Sequence, residues 1–397
     1  MNPASIPAGS NLNLPPAAKP QDARMENHLA WVDALRGFAA MWVILFHSRA
    51  TLWVGFVQLQ KTPELYSPLD RWLAWLSLPA ACGGSAVMLF FLISGFCIHL
   101  PYAANSRSFG FKHYAIRRSL RIMPPYLFAV LLTYVLEWLA FGLGGNAPTG
   151  FLHISRVAFL TQNYGPGQPL TNPSLWSLPV EIELYIAYVA LFICSRAVKM
   201  RLTTMIVATG SLFATVDNLR GNTIWDGNFL HFWAIWWCGA LLAEGWKRGS
   251  LSVFRPWNAA LFLGAAIIAL IGTYCGWPVG LMHYLWALVY FHMLWLALLY
   301  PQSIHRLPVG CVRVMVGLGT VSYSAYLIHY PVFAFAGYLW QRCYGEKPAS
   351  FLVPLGFSVL IWPLAWLFWK RCEWPFHQLA QRMVKHMAPM PVEAKRS

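Results

Sequence analysis

Charge is what this sequence has least of. Only 11% of its 397 residues are Asp, Glu, Lys or Arg, where a soluble domain carries about 25%. That excludes an ordinary water-soluble globule. Acid is scarcer still, with 14 Asp and Glu against 29 Lys and Arg. The resulting charge of +15 does not mark a nucleic-acid partner, because the basic residues sit in short pieces between apolar stretches. The eight cysteines are scattered and no C-x-x-C occurs, so neither a disulfide framework nor a zinc site is indicated and no metal is expected. The first 24 residues hold no apolar core and are not a cleaved signal peptide. No internal repeat is visible, which weakens the case for an inverted-repeat transporter.

What the chain has instead is oil. Hydrophobic residues make up 58%, with 21 Trp and 25 Phe. Apolar windows long enough to cross a bilayer fall near 34–54, 82–101, 124–141, 176–195, 202–216, 229–246, 257–275, 279–300, 314–340 and 351–369. The expected fold is an all-α integral membrane protein of about ten transmembrane helices. Lys and Arg concentrate in the segments that share a side with the N-terminus, so both termini are expected in the cytoplasm. Residues 1–24 read as a disordered cytoplasmic tail, 25–378 as the transmembrane domain and 379–397 as a second cytoplasmic tail. The window at 314–340 is expected to kink at Pro331.

Polar residues inside such spans are functional by default. In the first span, Arg36 and His47 are eleven residues apart, hence on one helical face and roughly 16 Å apart along the axis. Asp33 falls near the same stripe. A neutral imidazole at His47 can take a proton from a hydroxyl. The run Phe111–Arg121 clusters Arg117, Arg118 and Arg121. It reads either as a topology signal with lipid headgroup contacts or as a phosphate cradle built from guanidiniums.

Glu181 and Glu183, two apart, point to roughly opposite faces of a helix. Glu181 is expected to face the polar interior and Glu183 to support it. Alternatively, one of them merely pairs with an Arg. Ser322, Tyr326 and His329 share a face, either as a hydrogen-bonded core stripe or as site residues. Gly83-Gly84 and Ser94-Gly95 permit close helix packing or an open passage. With the N-terminus inside, His47, Glu181 and His329 fall in the outer halves of their spans and the Arg cluster falls inside. An outward-facing base and an inward-facing anion cradle suit a reaction that joins the two sides.

Six stretches in this order resemble the membrane-bound acyltransferase family 3. They are Val32-Asp-Ala-Leu-Arg36 with His47 following, Phe90-Phe-Leu-Ile-Ser94-Gly-Phe96, Arg117-Arg-Ser-Leu-Arg121-Ile-Met-Pro-Pro, Trp176-Ser-Leu-Pro-Val-Glu181-Ile-Glu183, Ser322-Tyr-Ser-Ala-Tyr326-Leu-Ile-His329-Tyr-Pro331, and Glu373-Trp-Pro-Phe. Many members of this family carry a further SGNH-hydrolase-like domain at the C-terminus; this sequence resembles the stand-alone form.

The resemblance implies an O-acetyltransferase of the bacterial inner membrane, multi-pass, working in polysaccharide modification. It moves an acyl group, usually acetyl, from cytoplasmic acyl-CoA to a hydroxyl of an extracytoplasmic sugar, with no permanently bound cofactor. The partners implied are acyl-CoA, a glycan acceptor in free or lipid-linked form, and membrane lipids. The resemblance also implies that His47 and Arg36 are essential and that Arg117, Arg118 and Arg121 serve the donor; Glu181 and His329, read from their places in the spans, are the further catalytic candidates. From the sequence pattern, Trp176, Tyr326 and Ser322 are candidates for substrate contact, with Asp33, Ser94, Glu183 and Glu373 in support. Other readings are a proton-coupled transporter, a lipid- or glycan-binding sensor without turnover, and an acyltransferase acting on a small molecule or a lipid.

Overall fold

The computed structural model of the protein describes residues 20–105, 109–164, 172–198, 200–253 and 255–387. These residues are mostly helical, with no strand among them. The α-helices in chain order are α1 (Pro20–Thr51), α2 (Phe56–Lys61), α3 (Pro68–Leu76), α4 (Val87–His99), α5 (Phe111–Gly142), α6 (Phe151–Ala158), α7 (Ser177–Val198) and α8 (Met200–Leu219). They continue with α9 (Phe229–Lys247), α10 (Pro256–Tyr274), α11 (Val279–Leu299), α12 (Val309–Thr320), α13 (Ser322–Tyr344), α14 (Leu352–Phe368) and α15 (Trp374–Met387). The first helix begins at Pro20, inside the stretch expected to be a tail, and α15 runs to Met387, inside the second. Proline at a first helical position loses nothing, because that N–H has no intrahelical partner.

Eight helical stretches among the described residues are long and apolar enough to cross a membrane, and nine if the bent pair α12 and α13 counts as one span. The protein is an all-α integral membrane protein. The stretch expected as the sixth span is the helix α9, but its His231, Glu244 and Trp residues lower its mean hydropathy, and it packs along α4 inside the bundle.

Lipid tails are as apolar as leucine, so helices in a membrane associate through close packing rather than water exclusion. Two crossings show this. Gly95 and Gly239 bring α4 and α9 together so tightly that a Cβ on Gly95 would collide with the Trp236 carbonyl, and one on Gly239 with the Leu92 carbonyl. Gly37 and Gly319 do the same for α1 and α12, against the Met315 and Asp33 carbonyls. The small residues at 83 and 95 therefore serve packing. Gly83 abuts Trp42 and Phe46 of α1.

The bend expected at Pro331 lies ten residues earlier. The chain turns by 73° between α12 and α13, at Val321, and α13 runs through Pro331 without a break. Proline in a helix frees the carbonyl four residues before it, here that of Leu327. The Asn172 side chain donates to that oxygen at 3.3 Å, which meets the demand that buried backbone groups be paired where no water reaches. At Val321 the bend is fixed by the tight seat of Gly319 on α1 and by Ser322 Oγ, which donates to the Gly319 carbonyl at 2.7 Å.

Candidate active site

The bundle encloses a cavity with about 790 Å³ of empty space, part of it open to solvent, lined by residues of α1, α4, α5, α7 and α13. One end is cationic. Arg36, Arg118 and Arg121 line it together with Cys97, Tyr185 and Ser322. The Arg36 guanidinium donates to Asp33 Oδ1 at 3.2 Å and to Cys97 Sγ at 3.4 Å. The Arg118 guanidinium lies over the Tyr185 ring, 5.6 Å from its centre, and its Nε is buried with no hydrogen-bond partner among the described residues. Three donor forks converge here with few acceptors between them, and a buried N–H without a partner costs about 1–3 kcal/mol. Such an end is built to receive an anion.

The middle of the cavity is polar but uncharged apart from Glu181. Tyr185 donates to Glu181 Oε1 at 2.5 Å, Ser94 Oγ reaches the same oxygen at 3.3 Å, and Trp236 Nε1 donates to Ser94 at 3.3 Å. Glu183 turns the other way. It accepts from the Tyr164 hydroxyl at 2.6 Å and from the Phe229 N–H at 3.1 Å, tying a loop and the start of α9 to α7. The far end of the cavity is aromatic and aliphatic, with Val87, Phe90, Phe91, Leu178 and Tyr326. Tyr326 donates to the Ser174 carbonyl at 2.6 Å, and Ser177 Oγ donates to the Tyr326 hydroxyl at 2.7 Å.

Beyond Tyr326 stands a pair of imidazoles. The His329 ring centre is 5.8 Å from that of Tyr326, and His329 Nε2 is 2.9 Å from His47 Nδ1. The hydrogen-bond network assigns the tautomers. His329 Nδ1 faces the Tyr326 carbonyl at 2.7 Å and the Ala325 carbonyl at 3.1 Å. Carbonyls only accept, so Nδ1 carries the proton and the neutral ring accepts at Nε2. His47 Nδ1 therefore donates, and His47 Nε2 is left with its lone pair. His329 is fully buried with both nitrogens engaged, whereas His47 is only partly buried, its ring also against Phe46 and Tyr330. His47 itself does not line the cavity.

A model of the acyltransferase domain matches residues 29–370 of this sequence. The chain belongs to the acyltransferase 3 family. It is a membrane acyltransferase. No curated protein and no solved structure matches it.

In this acyltransferase, Arg36, Ser94, Arg118, Arg121, Glu181, Ser322 and Tyr326 share one cavity, and His47 and His329 share one hydrogen bond just past it. Arg117 is exposed and outside the lining, because only the i, i+3 pair 118 and 121 turns inward. Trp176 lies behind the cavity wall, edge-on to Phe91 at 6.4 Å and stacked on His283 at 6.4 Å. Glu373 ends a turn of π-helix, Trp369–Glu373, where it is buried and accepts from Ser324 Oγ at 2.6 Å.

Sequence reasoning passed over three features. Tyr185 is four residues from Glu181 on the same face, and that spacing was a usable signal. The second imidazole pair, His231 Nε2 to His283 Nδ1 at 3.1 Å, joins helices 52 residues apart and left no local trace. His99, Tyr188 and Glu244 form a further set, with His99 between the Tyr188 hydroxyl at 2.9 Å and the Glu244 carboxylate at 3.0 Å.

Proposed function

We propose that this acyltransferase moves an acetyl group from cytoplasmic acetyl-CoA to a sugar hydroxyl of a cell-surface or exported polysaccharide, in the bacterial inner membrane. The gathering of three guanidiniums at one end of a cavity inside an apolar bundle carries this reading. Arg118, Arg121 and Arg36 hold the phosphates of the coenzyme, with Arg117 at the rim adding charge, and the pantetheine arm lies along α1. The eleven residues from Arg36 to His47 span roughly 16 Å of helix, comparable with the reach of an extended pantetheine arm. Glu181, with Ser94, Tyr185 and Ser322 around it, offers acceptors and hydroxyls for the arm's amides.

His47 Nε2 removes the acceptor's hydroxyl proton. The alkoxide attacks the thioester carbonyl, the C–S bond breaks, and the departing thiolate takes the proton back from the imidazolium. His329 acts through His47, holding the ring and the proton on Nδ1, which makes it a positioning residue. Trp176 and Tyr326 border the acceptor side. Asp33 steadies Arg36, and Glu183 and Glu373 brace the helices that carry the site.

The test uses native membrane vesicles. Acetyl-CoA should release free thiol and place ester-linked acetyl on glycan, detected by mass spectrometry of de-esterified against untreated material. His47→Ala should abolish transfer while leaving radiolabelled donor binding intact. Loss of donor binding with retained transfer, or flux of a solute without thiol release, would refute the proposal.

A further inference from the structure

We propose that Phe90 is the gate between the cavity and His47 and sets the length of acyl group the enzyme accepts, restricting it to short chains. This rests on the acyl-CoA reading above. The starting point is a mismatch. Phe90, Tyr326 and, one turn of α4 nearer the His47 level, Val87 line the cavity, and His47 does not. A thioester lodged in the cavity therefore meets two aromatic rings before it meets the imidazole.

Depth along the helices puts Phe90 at this boundary. Cys97 stands level with Arg36, which donates to its sulfur. Gly83 stands level with Trp42 and Phe46, the turn of α1 just before His47. Phe90 is midway between the two, about 10 Å from Cys97 along α4. Its ring meets that of Tyr326 edge-on, with centres 6.0 Å apart, and Tyr326 in turn covers His329 at 5.8 Å.

The two rings differ in how they are held. Tyr326 is pinned at its hydroxyl by Ser174 and Ser177, so it cannot swing without breaking two buried hydrogen bonds. Phe90 has no polar tether and is only partly buried. It is the movable member. With the thioester carbonyl at the constriction, the acyl tail lies against Phe90, Phe91, Val87 and Leu178. On this proposal a two-carbon tail sits beside the ring, and each further methylene displaces it.

The experiment compares kcat/KM for acetyl-CoA and butyryl-CoA by thiol release in native membrane vesicles, with the His47→Ala background subtracted. One methylene in an apolar pocket discriminates by about 10–200-fold, so Phe90→Ala should raise the butyryl-to-acetyl ratio by about tenfold or more. Phe90→Leu, the milder change, should raise it less, and Phe90→Trp should lower it. An unchanged ratio in Phe90→Leu and Phe90→Ala, or equal loss of both donors in all three variants, would overturn the gate. Wild type that consumes neither donor would refute the acyl-CoA reading and this inference with it. Wild type that consumes acetyl-CoA with a ratio insensitive to residue 90 would refute this inference alone.

Discussion

His47 owes its protonation pattern to the residue it leans on. Because His329 Nδ1 is committed to backbone carbonyls, its Nε2 accepts, and His47 presents a bare Nε2. A glutamine at 329 can accept from His47 Nδ1 through its side-chain oxygen, and alanine cannot. His329→Ala should thus lower kcat by about 100-fold, the low end of what general-base work contributes, with little change in KM for the donor; His329→Gln should recover part of it. A loss of donor affinity instead would show that His329 touches the substrate. At the other end of the site, a hydrogen bond to a charged group is worth about 1.5–3 kcal/mol. Arg118→Ala and Arg121→Ala should raise KM for acetyl-CoA tenfold or more, by that measure. They should scarcely alter the use of an acetylated pantetheine lacking phosphates, since no phosphate remains for either residue to hold. Steady-state kinetics with both donors decides the point.

At the scale of the helix, what periodicity could reveal was revealed. Arg36, Glu181, Ser322 and Tyr326 reach the cavity because each lies on a polar stripe of its own helix. The bend was misplaced for a physical reason. Proline was expected to break the helix at 331, yet Asn172, from a different part of the chain, satisfies the carbonyl that proline frees. No local pattern announces such a partner. Removing it in Asn172→Ala leaves the Leu327 oxygen buried and unpaired, which should destabilise the protein by about 1–3 kcal/mol; thermal unfolding in nanodiscs should show a lowered midpoint, and an unchanged midpoint would mean that another donor takes its place. The α4–α9 crossing makes a similar demand. Gly239→Ala puts a methyl group into the Leu92 carbonyl, and overpacking of this kind costs about 1–3 kcal/mol. The same melt should report it, together with a fall in activity, because α4 carries Ser94 and Phe90.

On the scale of the whole molecule, the asymmetry is between a cationic end and an aromatic one. The orientation proposed from the Lys and Arg pattern of the sequence has the Arg117–Arg121 side in the cytoplasm. Inverted vesicles should accordingly consume added acetyl-CoA, and right-side-out vesicles should not until they are permeabilised. Equal rates in both would contradict a donor entering from one face. Composition made the membrane character legible, and the order of six short motifs made the family legible. The meeting of His231 with His283, the stop at Tyr326 short of His47, and the outward turn of Arg117 depend on how distant helices pack, so a single sequence held no sign of them.

The indole of Trp236 is fully buried, and its N–H reaches Ser94 from behind the cavity wall. Ser94 in turn touches Glu181, so a molecule settling against that carboxylate perturbs the electrostatic surroundings of a fluorophore the chain already owns. Titrating the coenzyme alone should shift the emission of wild type but not of Trp236→Phe, giving an optical readout of occupancy that needs no acceptor, no label and no turnover.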